Sequence, residues 1–168
     1  MKTTEVLKKI DKAVMAVLKY LTIALFVLLT LILTANILGR ILPVISLQWL
    51  DEIVELLFAA MVFYGAAAVW VSKGHFSAGN WIEKRIANPR LKAFYKTLIE
   101  VFSLAFMAIF FKYSLDLTMK AGDVTSVFQI PKKILYACMP ISAAIMCVYS
   151  LFRIGAIVGE VFSPTEKR

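Results

Sequence analysis

Side chains able to do chemistry are few in this chain, and they stand apart from one another. The single histidine, His75, follows Lys73 and Gly74. A four-helix b-type haem carrier needs two intramembrane histidines as axial ligands, and His75 has no second. Cys138 and Cys147 share one apolar run. A helical rise of 1.5 Å per residue places them about 13 Å apart along the axis, too far to bridge, so both read as small core residues. There is no Walker loop, nucleophile elbow, CxxC pair or pair of carboxylates deep in an apolar segment. The expectation is therefore a non-enzyme with no catalytic residue, cofactor site or metal ligand. Glu100 is the one carboxylate placed where a proton-driven exporter would use it. It also lies four residues after Lys96, a spacing that lets it pair along its own helix. An independent small ion-coupled transporter is the alternative that Glu100 keeps open.

A second group gathers where one apolar run ends and the next begins. Arg40 closes the first, while Trp49, Asp51, Glu52 and Glu55 open the second. A cation at a helix C-terminus and acids at an N-terminus both complement the helix dipole, and the two ends can form ion pairs. Asp51 and Glu55, at i and i+4, share a face that can instead present carboxylates to a basic docking partner. The two roles are compatible.

The elements that position these groups follow from composition. Of 168 residues, 61% are apolar and 18% charged, and the mean hydropathy is +0.80, well above a soluble domain. Tyr20 to Gly39 is an uncharged run of twenty, Leu56 to Ser72 of seventeen and Ile134 to Phe152 of nineteen. A fourth apolar pattern starts at the Asn88-Pro89 helix-start signal and runs to a stop at Gly122. About 20 helical residues cross a bilayer, so the chain is expected to be all-α and polytopic: one membrane domain over 1–168, with spans near 20–40, 50–72, 89–121 and 134–153. The first run starts too late and is too long for a cleaved signal peptide and reads as retained. Pro140 is expected to kink the last span, and Arg153 to close it. Small residues Ala59, Ala60, Gly65, Ala66, Ala67 and Ala68 let another helix approach closely.

Two amphipathic segments flank these spans. Val6, Leu7, Ile10, Val14, Val17 and Leu18 recur at helical spacing, with Lys8, Lys9 and Lys12 on the other positions, which predicts a surface-lying helix over 1–19. Asn80 and Glu83 have capping-box spacing, and Trp81, Ile82 and Ile86 alternate with Lys84 and Arg85, which predicts a shorter interfacial helix. These basic and aromatic residues are membrane-surface anchors. The formal charge of +8 therefore points to lipid rather than nucleic acid. Lysine and arginine number five before the first span, one after it, six after the second, four after the third and three at the end. By the positive-inside rule both termini and the segment 73–96 are cytoplasmic.

The ordered set Arg40, Gln48-Trp49-Leu50-Asp51-Glu52, Gly65-Ala66-Ala67-Ala68 and Lys73-Gly74-His75-Phe76 resembles the small membrane subunit of tripartite ATP-independent periplasmic (TRAP) transporters. The likeness extends to Gly122, Ile130-Pro131, Tyr136, Pro140 and Arg153. Members of that family often carry an acid four positions after the histidine; Gly79 stands there in this chain, so no role for that carboxylate carries over. The resemblance implies a multi-pass subunit of the bacterial inner membrane, noncatalytic and acting as scaffold. Its implied partners are a large multi-span transport subunit, a periplasmic substrate-binding protein that docks transiently, and lipid. It also implies sodium-coupled symport of an organic acid, with sialic acid or a C4-dicarboxylate as candidate substrates. Arg40, Trp49, Asp51, Glu52, Glu55, Gly65, His75 and Pro131 are then candidate partner-interface or structural positions.

Overall fold

The computed structural model describes residues 2–41, 48–72, 85 and 89–162. Four long helices account for nearly all of them: α1 (Lys2–Ile41), α2 (Gln48–Val71), α3 (Pro89–Lys120) and α4 (Lys132–Phe162). Each contains a segment long and apolar enough to cross a membrane, and there is no strand among the described residues, only an isolated bridge between Val124 and Pro131.

α1 is one unbroken helix of 40 residues, about 60 Å long. The amphipathic segment over 1–19 and the span over 20–40 were expected as separate pieces; here they are continuous. No proline or glycine occurs before Gly39, so no residue favours a break at Lys19 and Tyr20. α4 likewise runs past Arg153 to Phe162, with Pro140 inside it, because Gly155 and Gly159 weaken a helix without stopping it. α3 ends at Lys120, two residues before Gly122. The interfacial helix expected around Asn80 to Ala87 lies outside the described residues apart from Arg85, which is helical and exposed.

The helices pack as a row in the order α1, α2, α4, α3. α1 and α2 are antiparallel in a steady register: Thr22 faces Gly65 near one end and Asn36 reaches Asp51 near the other. At Gly65 an added Cβ would come within 3.3 Å of Thr22 Cγ2, so the Gly-Ala stretch is used for close packing of α2 on α1. α4 is the inner helix: 39% of its membrane-length window is buried, against 6–11% in the other three. Its packed face is small, with Ser142, Ala143 and Ser150 fully buried. The Ser142 hydroxyl donates to the Cys138 carbonyl at 2.7 Å, which meets the requirement that polar groups be satisfied internally where no water reaches. Leu18, Ala67, Val71 and Met146 form the core cluster, flanked by Val14, Met107 and Tyr149. It lies toward the C-terminal end of α2 and against the middle of α4. Farther along, Phe63 of α2 stacks on Phe110 of α3 at 5.9 Å.

Candidate functional site

Polar side chains concentrate at the two ends of α2. At its N-terminal end Asn36 Nδ2 donates to Asp51 Oδ1 at 2.9 Å, with Asn36 itself buried between the helices. The next residue, Glu52, is held by the connection between α3 and α4. The Val127 N–H donates to its Oε1 at 2.6 Å and the Phe128 N–H to its Oε2 at 3.1 Å. Within the connection the Thr125 hydroxyl accepts from the Ile130 N–H at 3.1 Å. The connection is a short hairpin, closed by Thr125 N–H to Ile130 O and Lys132 N–H to Asp123 O, both 2.9 Å. Gln129 takes the left-handed conformation (φ 50°) that the turn requires. Trp49 meets Phe128 edge to face at 6.0 Å. A carboxylate in the first turns of α2 is favoured by the helix dipole and again by these converging amides. Glu52 thereby ties the α3–α4 hairpin to α2.

At the other end of α2 the charges are enclosed. Arg153 of α4 donates through Nη1 to Glu100 Oε1 of α3 at 3.4 Å, and through Nη2 to the Trp70 carbonyl of α2. Its guanidinium lies 5.3 Å from the centre of the Trp70 ring, a cation–π distance. The Trp70 indole N–H in turn donates to Ser150 Oγ at 3.2 Å. Glu100 and Arg153 side chains are each 18% exposed. Glu100, expected to pair along its own helix with Lys96, reaches fifty-three positions along the chain to Arg153, leaving Oε2 buried without a hydrogen-bond partner. One arginine thus joins three helices, and the planar, multiply donating guanidinium is the group able to do so.

The other sequence candidates fall as follows. Gly65 packs inside the molecule against Thr22. Pro131 closes the hairpin opposite Val124 and its carbonyl accepts the Ile134 N–H at 3.0 Å. Asp51, Glu55, Lys9, Lys12 and Arg85 are exposed. His75, Trp81, Lys84 and the side chains of Lys8 and Arg40 lie outside the described residues, so the Arg40 pairing with the α2 acids does too. Reading by spacing missed Trp70, Ser150 and the Glu52–hairpin contact. The last joins residues 75 and 76 positions apart, and no local periodicity carries such a pairing. Among the described residues no group of three or more His, Cys, Asp or Glu side chains is arranged to hold a metal ion.

Four membrane-length helices, with the enclosed Glu100–Arg153 pair joining two of them, define a multi-pass membrane protein. The family model described as "Tripartite ATP-independent periplasmic transporters, DctQ component" matches residues 29–158, and the chain belongs to that family. It is thus a small subunit of a TRAP transporter and not an enzyme. A search of curated proteins returned no match.

Proposed function

We propose that the chain is the noncatalytic frame of a sodium-coupled uptake system for an organic acid in a bacterial inner membrane. A large multi-span subunit moves the substrate and a periplasmic binding protein delivers it transiently. Both termini and segment 73–96 face the cytoplasm, as their lysine and arginine excess directs. The observation that supports a frame is the apolar surface that the helices leave uncovered. Edge helix α3 exposes Leu91, Phe94, Leu98, Phe102, Phe106 and Ile109 along its length, far more apolar surface than the core cluster uses. A carrier that slides a substrate-bearing domain needs a fixed body to slide against, and a broad, braced wall suits that task. Long, tilted helices and the basic positions Lys8, Lys9, Lys12, Lys84 and Arg85 with Trp81 would set its depth against acidic headgroups. The substrate is sialic acid or a C4-dicarboxylate.

The deciding experiment is reconstitution. The chain alone in sodium-loaded or proton-loaded vesicles is expected to give no solute flux; together with a large TRAP permease subunit, it should co-purify and support sodium-dependent uptake. Flux from the chain alone, abolished by Glu100→Gln, would establish the independent transporter instead.

A further inference from the structure

The hairpin between α3 and α4 carries apolar side chains outward: Val124 is 50% exposed, Val127 51% and Phe128 46%. A water-facing tip of this size would not ordinarily be built from valine and phenylalanine. Nor is it loosely attached, since two of its amides are fixed on Glu52. That contact sets its level at the first turns of α2, where the spanning apolar run begins, and its Phe128 lies against Trp49, itself exposed at the rim of that run. Tryptophan at the end of a span settles at the headgroup level, and phenylalanine beside it adds apolar surface at the boundary with the acyl chains. Next to them Lys132 and Lys133 open α4, whose first turn holds no acid. Cations there oppose the helix dipole, a cost that lipid phosphates lying over the same turn would offset.

We propose that this tip is a membrane anchor: Val127 and Phe128, with Trp49, sit in the boundary between headgroups and acyl chains of the leaflet at the Gln48 end of α2, while Lys132 and Lys133 meet lipid phosphate. The anchor fixes the depth of α2 and α4 together, because Glu52 joins the hairpin of one to the start of the other. It requires only that the chain span a membrane and is independent of the transport reading.

The test places a nitrobenzoxadiazole reporter at the tip of the full-length chain in vesicles of phosphatidylethanolamine and phosphatidylglycerol. The primary variant is Phe128→Cys with Cys138→Ser and Cys147→Ser. Val127→Cys with Cys138→Ala and Cys147→Ala serves if the serine replacements harm folding. Blue-shifted emission, quenched several-fold more strongly by lipids spin-labelled near the headgroup than by aqueous iodide, is expected. Adding Glu52→Ala should weaken the lipid quenching several-fold. Emission like that of the dye in water with full access to iodide would overturn the proposal. So would a blue shift that arises only when the soluble substrate-binding protein is added, since the occupant would then be protein. Unchanged quenching in the Glu52→Ala background would overturn Glu52 as the fastening.

Discussion

The two ends of α2 hold carboxylates in opposite ways. Glu52 stands in the open and is bound by the backbone amides of a hairpin. Glu100 is enclosed, paired with a guanidinium that must also serve the Trp70 carbonyl and ring. At the first end the partners are neutral amides and solvent is near, so losing the carboxylate frees a loop without stranding a charge. At the second, each charge is tolerable only because the other is present. Each arrangement joins elements distant in sequence. The contrast predicts which end the fold depends on.

Its sharpest test is Arg153→Ala. Removing the guanidinium leaves Glu100 enclosed with both oxygens unpartnered. The expected loss is about 3 kcal/mol, the low end for a broken buried pair because part of each side chain remains exposed. Detergent unfolding followed by tryptophan fluorescence reads it, and Trp70 sits at the site. Glu100→Gln keeps an acceptor for Arg153 and should cost less, about 1–2 kcal/mol. The double change Arg153→Met with Glu100→Met should recover most of the Arg153→Ala loss, since a matched apolar pair carries no desolvation penalty. A double variant as unstable as Arg153→Ala would mean the three-helix joint depends on the guanidinium contacts to Trp70 rather than on charge balance.

Next in size is the seam between α1 and α2. Gly65→Leu must force apart helices that meet at Gly65 and Thr22, an overpacking cost of about 2 kcal/mol. Gly65→Ala should cost less than about 1 kcal/mol, because a Cβ 3.3 Å from Thr22 Cγ2 needs that methyl to give by only a few tenths of an ångström. Equal effects from the two variants would show that the close approach is not what stabilises the seam.

How much of this was legible beforehand follows from which contacts are local. Uncharged runs mark three of the four helices, and a longer apolar pattern with scattered charges marks α3, because lipid demands that backbone groups be satisfied within each segment. The Gly65 to Ala68 stretch announced a close packing face, although not that Thr22 would occupy it. The ordered motifs from Arg40 to Arg153 pointed to the family that the match over residues 29–158 shows. The pairings were hidden. The i, i+4 spacing predicts that Glu100 pairs with Lys96, but α3 packs on α4 with Glu100 turned toward Arg153. The change of hydropathy at Lys19 predicts two pieces, yet hydropathy sets the solvent a helix meets and not where its hydrogen bonds stop, and α1 is continuous. The hairpin's attachment to Glu52 depends on the row order of the helices, which no single run of sequence encodes.

At the exposed end the predicted effects are local. Glu52→Ala should leave the apparent Tm nearly unchanged while hydrogen exchange at the Val127 and Phe128 amides accelerates several-fold, because only those N–H groups lose their acceptor. Global destabilisation matching that of Arg153→Ala would erase the distinction between the two ends.

The smallest effect belongs to Lys120 and Asp116, which pair at 2.7 Å in the last turns of α3 with side chains 75% and 53% exposed. An i, i+4 pair in water gains little beyond the entropy spent on ordering it. Lys120→Ala should therefore cost about 0.3–0.5 kcal/mol, including the cation's favourable place at a helix C-terminus, and that cost should shrink further in high salt. This pair is shorter than the Glu100–Arg153 contact at 3.4 Å, yet it is predicted to matter several times less. If Lys120→Ala equalled or exceeded Glu100→Gln, distance rather than enclosure would be governing the charges in this chain, and the argument for the inner joint would fail with it.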